Sequence, residues 1–109
     1  MPGPEAIVKT WIRTKLKKAL PDIYIANIHQ SMYSSKGIPD LLLCYNGRFV
    51  GLEVKTDKGR LSKLQELELN KIRMAKGIAI VIYGKDEVKL NKLVEMLRTG
   101  VFNVEPSIY

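Results

Sequence analysis

Two carboxylates and an ammonium lie close together in the middle of this chain, and their spacing suits metal-assisted chemistry. Asp40 opens the apolar run Leu41-Leu42-Leu43-Cys44-Tyr45, the pair Asn46-Gly47 follows, and Arg48 to Lys55 returns with Glu53 and Lys55 near its end. Asn-Gly is the pair preferred in two-residue type I′ hairpins. In such a hairpin Tyr45 faces Arg48, Cys44 faces Phe49, Leu42 faces Gly51 and Asp40 faces Glu53. Like charges directly opposite one another in a sheet destabilise it, and carboxylates forced together must share a proton or a cation. A divalent metal resolves that conflict. Side chains alternate along a strand, so Lys55 points to the same face as Glu53. The plainer account makes Lys55 a salt-bridge partner that softens an accidental Asp–Glu pair at a sheet end. Against it, the pair follows a loop and sits among apolar neighbours, where uncompensated carboxylates are costly.

The elements that must position these groups are legible from periodicity. From Glu5 to Leu20, the residues Val8, Ile12, Leu16, Ala19 and Leu20 recur at the spacing of an amphipathic helix, with Pro4 in its first turn and Pro21 ending it. Ile23 to His29 alternates weakly and reads as a strand, and Ser31 to Gly37 as a loop. The hairpin strands are Asp40 to Tyr45 and Arg48 to Lys55. Ser62 caps a second helix that reaches Lys76 and is stopped by Gly77. Ile78 to Tyr83 is a buried strand, and Lys85 to Thr99 a third helix with Val88, Leu90, Leu93, Val94 and Leu97 apolar. The expected class is α/β, in the order α-β-β-β-α-β-α, with a mixed central sheet flanked by helices.

Two polar residues interrupt the apolar faces of these helices. Winding the first helix at about 100° per residue puts Glu5 beside Ile12 and Leu16, on the stripe expected to be buried. In the second helix Gln65 falls between Ile72 and Leu69, and Glu68 lies in the sector of Leu61, Leu64, Ile72 and Ala75. Glu5 has an equal alternative as a charge favoured at its own helix terminus, and Glu68 has one as a partner of Lys71. Gln65 is not explained by charge pairing. Cys44 reads as a small buried hydrophobe.

In this order, Gly37-Ile38-Pro39-Asp40, then Glu53-Val54-Lys55, then Gln65 on the next helix resemble the PD-(D/E)XK nuclease signature. Gln65 and the Glu5 of the first helix are similar to the virus-type replication-repair nuclease (VRR-NUC) branch in particular. The resemblance spans Glu5 to Tyr83 and implies a restriction-endonuclease-like core. It also implies that Asp40, Glu53 and the backbone carbonyl of Val54 ligate Mg²⁺ or Mn²⁺, while Lys55 and Gln65 position the attacking water and Glu5 completes the catalytic set. Hard oxygen ligands suit such ions. Stand-alone members of the family resemble Holliday junction resolvases and act as homodimers, which implies a DNA endonuclease selective for branched DNA, in repair or recombination, in a bacterial or phage-infected cytoplasm. The alternative is a non-catalytic nucleic-acid-binding module of the same fold.

Composition agrees with a nucleic-acid partner. Eighteen Lys and Arg against eleven Asp and Glu leave a formal charge of +7 over 109 residues, a surplus that favours polyanions. The length is that of one domain, so a single nuclease domain over residues 1–109 is expected. The single cysteine excludes an internal disulfide framework or a cysteine-based zinc cluster. No run approaches the roughly 18 apolar residues of a membrane helix, and the start lacks the pattern of a signal peptide, so the expectation is an intracellular protein with no membrane partner. Lys36, Lys58, Arg60 and Lys63 flank the carboxylates on loops and a helix start and are the expected DNA contacts. Tyr33 is a candidate stacking residue, His29 a candidate ligand more in keeping with a structural role, and Val101, Phe102, Val104 and Ile108 a candidate dimer surface.

Overall fold

The computed structural model of the protein describes residues 3–29 and 36–101. Its elements are α1 (Pro4–Ala19), β1 (Tyr24–Asn27), β2 (Leu41–Tyr45), β3 (Arg48–Lys55), α2 (Lys63–Met74), β4 (Ile78–Tyr83) and α3 (Glu87–Thr99), the order expected from the sequence. Asn46 and Gly47 have φ of 53° and 77°, the two positive values that a type I′ turn requires. That turn sets the β2–β3 register, pairing Tyr45 with Arg48, Cys44 with Phe49, Leu42 with Gly51 and Leu41 with Leu52. The four strands lie in the order β1-β2-β3-β4. β1 and β3 run antiparallel to β2, and β4 joins β3 in parallel after the α2 crossover.

The two faces of this mixed sheet are covered differently. Val50, Leu52 and Val54 of β3 and Ile78, Ile80 and Ile82 of β4 pack with Val8, Ile12 and Leu16 of α1 and Leu90, Leu93, Val94 and Leu97 of α3. The alternate residues Ala79 and Val81 meet Leu69 of α2, with Leu61 and Ile72 against them. Since strand side chains alternate, Gly51, Glu53 and Lys55 share the α2 face. Their position opposite Ala79, Val81 and Tyr83 of β4 agrees with this.

Element ends depart from the sequence reading where a side chain supplies a better terminus. Asp86 accepts a hydrogen bond from Lys89 N and caps α3, which therefore starts at Glu87 and not Lys85. α2 stops at Met74, and the left-handed residue beyond it is Lys76, φ 71°, rather than Gly77. Cys44 is exposed, contrary to the buried role expected of it. It pairs with the exposed Tyr24 and Phe49 in a cross-strand row at the hairpin end. Tyr33 and the tail residues Phe102, Val104 and Ile108 lie outside the described residues, and Val101 is 61% exposed. Among the described residues no helix is long and apolar enough to cross a membrane.

Candidate active site

Asp40 sits one residue before β2, not in its first position, and its carboxylate ends the ladder. Oδ2 accepts the Val54 backbone N–H at 2.9 Å, beyond the last β2–β3 pair, Leu41 with Leu52. The Asp40 carbonyl accepts Ile28 N–H at 2.9 Å, so the residue is tied to β1 and β3 together. Two glycines let its segment approach. A Cβ on Gly37 would lie 2.6 Å from the Leu64 carbonyl oxygen at the start of α2, and its φ of 87° suits glycine. A Cβ on Gly51 would lie 2.5 Å from Ile72 Cδ1 and 3.1 Å from Pro39 Cγ, so the bare backbone of β3 makes room for the turn that aims Asp40.

Glu53 is the only buried charged or polar residue among those described, at 1% exposure. Burial is the main reason its carboxyl is pushed up to about 9. Asp40 adds to the rise, first as acceptor of a hydrogen bond from protonated Glu53 and then through its charge, while Lys55 opposes it and Glu5 adds a smaller push. The two carboxylates expected to oppose each other do meet, closely enough that Asp40 raises the cost of ionising Glu53 beside it. Glu53 Oε2 finds no hydrogen-bond donor, since an ionised carboxylate offers none. A buried carboxylate oxygen without a protein donor can be satisfied by a water or a cation. Lys55 is half-buried on the same face, its stem against Gly59 and its carbonyl accepting Gly84 N–H at 2.7 Å.

The donor set fits a hard divalent cation. Mg²⁺ is commonly held by one or two carboxylates, completed by water and substrate phosphate, rather than by an all-protein cage. Among the described residues no three His, Cys, Asp or Glu side chains gather into a cluster. His29 is exposed, and Glu68 pairs with Lys71 at 3.7 Å, so neither is drawn in.

Two expected site residues stand differently from the sequence reading. Glu5 is exposed, not inward-facing: it has the angular position of Ile12 and Leu16, but the first turn of α1 is uncovered there. It is nonetheless close enough for its charge to act on Glu53. Gln65 is half-buried and belongs to a capping box, with Oε1 accepting Ser62 N–H at 2.9 Å and its own N–H donating to Ser62 Oγ at 3.1 Å. Leu64 and Ala75 are exposed, so the packed face of α2 runs through Leu61, Glu68, Leu69 and Ile72. Lys36, Lys58, Arg60 and Lys63 are all exposed. The Gly37–Leu64 approach and the Gly59–Lys55 contact bring their segments to the same end of the sheet.

No family model matches the chain, and no curated protein matches it. Solved structures do match. A VRR_NUC domain superposes with TM-score 0.68 at 20% identity, covering 86% of this chain and 97% of its own. A VRR_NUC domain protein superposes with TM-score 0.69 at 19% identity, over 94% and 95% of the two chains. This chain has the restriction-endonuclease-like fold of the VRR_NUC domain. Hjc of Archaeoglobus fulgidus, a Holliday junction resolvase from an archaeal hyperthermophile, shares the fold at TM-score 0.56 and 19% identity, over 72% of this chain and 67% of that one. What sequence reading missed in this VRR_NUC fold is Gly51 and its contacts with Pro39 and Ile72. A glycine inside an otherwise apolar strand was the available signal.

Proposed function

We propose that the protein is a Mg²⁺- or Mn²⁺-dependent DNA endonuclease that cuts branched DNA as a homodimer. The observation that carries this is the Asp40–Glu53 pair, in which Glu53 is buried with Oε2 lacking a protein donor while Asp40 is half-exposed beside it, and Lys55 shares the face. Such a pair is a poor structural element and a good ligand set. Asp40 and Glu53, with the Val54 carbonyl, would hold the ion. When bound, it would supply charge stabilisation at the scissile phosphate and a more acidic water.

The remaining roles follow from what each side chain has free. Lys55 shares the sheet face of Glu53, and its ammonium would sit against a phosphate oxygen or the attacking water. Gln65 has its carbonyl oxygen committed to Ser62, so its amide NH₂ is the end that would donate to water or phosphate. Glu5 adds negative charge at the rim of the site and would help hold a water network or a cation there. Lys36, Lys58, Arg60 and Lys63 would take flanking phosphates at the same end of the sheet.

The likeness to Hjc supports the choice of branched DNA. One small domain carries one such site, and a symmetric cut in a four-way junction needs two. The test is incubation with linear, single-stranded, flapped and four-way DNA in Mg²⁺, Mn²⁺ or EDTA, with the mass measured by light scattering. Metal-dependent paired nicks in four-way DNA by a dimer are expected. Full activity in EDTA would overturn the metal, and a monomer that cuts flaps as well as junctions would overturn the resolvase reading.

A further inference from the structure

We propose that a groove between α1 and the edge strand β1 is a second DNA contact, one that holds the phosphates of a strand leaving the cutting site. This rests on the DNA reading above but uses none of the carboxylate-site residues. The groove has a volume of about 430 Å³ and is lined by Thr10, Arg13, Thr14 and Lys17 of α1 and by Ile25 of β1. The four α1 residues follow the i, i+3, i+4, i+7 spacing that puts them on one helix face. They present two cations and two hydroxyls, and no carboxylate lines the groove.

α1 sorts its cations. Lys15 turns to the opposite flank, where it bonds Glu87 of α3 at 2.9 Å and lies 5.9 Å from the Trp11 ring centre. Among the described residues neither Arg13 nor Lys17 forms an ion pair. Lys17 instead donates to the Ile23 carbonyl at 2.8 Å, which holds its ammonium beside the start of β1 with two further N–H groups to give. A positive groove with fixed donors suits phosphates, and Arg and Thr side chains are common partners of the DNA backbone.

The groove lies further along the helix that begins near the carboxylates. α1 begins at the cutting site, where Glu5 acts on Glu53. At 1.5 Å per residue, Thr10 and Lys17 lie roughly 8 and 18 Å further along the helix axis. An acidic peptide is the less suitable occupant, because the groove offers point charges and hydroxyls but only Ile25 as an apolar wall.

The test is fluorescence anisotropy of the full chain with a labelled duplex in EDTA, across a series of salt concentrations. The double variant Arg13→Ala/Lys17→Ala should lower the slope of log affinity against log salt by about two units relative to the parent. Lys15→Ala should leave the slope at the parent value, and Arg13→Lys/Lys17→Arg should retain it. An unchanged slope in the double variant, with its melting temperature unaltered, would overturn the proposal. So would equal competition by inorganic phosphate or polyglutamate, which would mark a small-anion or acidic-peptide site. Because binding is read without metal, a parent that binds with the expected slope but cuts nothing would fail the nuclease reading and leave the groove standing.

Discussion

Replacing Glu53 by Gln should stabilise the metal-free protein, by an amount that grows with pH. The Glu53 side chain is 1% exposed, and its carboxyl titrates near 9 where an unfolded chain would titrate near 4.5. Between those two values the folded state holds one more proton than the unfolded state. The corresponding stability is fully present below the unfolded value and is lost as the pH rises toward the folded one. A one-proton difference is worth about 1.4 kcal/mol per pH unit. From about pH 6 to about pH 8 the parent should therefore lose roughly 2–3 kcal/mol that the Gln variant keeps. A domain of this size moves its melting temperature by roughly 4–8 °C per kcal/mol, so the two profiles should diverge by on the order of 10 °C. Thermal melts in EDTA at a series of pH values measure this. Mg²⁺ or Mn²⁺ selects the deprotonated pair, so added metal should raise the parent's melting temperature more at the higher pH and barely affect the variant. Parallel melting profiles for parent and variant would refute the raised proton affinity of Glu53.

The capping box and the catalytic proposal for Gln65 separate cleanly. Gln65→Glu keeps an acceptor oxygen for Ser62 N–H and should keep the melting temperature while cleavage falls at least tenfold, whereas Gln65→Ala should lose both cleavage and about 0.5–1 kcal/mol of stability. Gly37→Ala should destabilise by about 2–3 kcal/mol in denaturant titration, because its Cβ meets the Leu64 backbone and not a movable side-chain end. Asp40→Asn should abolish metal-dependent cleavage of plasmid or junction DNA and leave the protein folded, since an amide oxygen still accepts Val54 N–H.

The central pair was legible because a local rule reaches across the hairpin. Asn46-Gly47 forms a two-residue turn, the turn sets the register as far as Leu41–Leu52, and continuing that register by one residue brings Asp40 toward Glu53. Periodicity likewise fixes which residues of α1 and α3 face a core, since a 3.6-residue repeat is a property of the segment itself. What periodicity does not contain is where the covering element ends. Glu5 shares its angular position with the buried Ile12 and Leu16 and is exposed, because the first turn of α1 has no neighbour over it. Cys44 alternates correctly with Leu43 and is exposed, because α2 does not cover the row it shares with Tyr24 and Phe49.

By itself, then, the amino-acid order determined the elements, the hairpin register and the meeting of two acids. Only the tertiary structure decided that Glu53 is sealed from water while Asp40 remains half-exposed, that Gln65 spends its carbonyl on a helix cap, and that Gly37 and Gly51 clear the path for Pro39 and Asp40. The physical reason is that burial, carboxyl proton affinity and steric clearance depend on atoms brought in from other segments. A linear pattern names the groups that can interact; the distances at which α1, α2 and the sheet pack set how strongly they do.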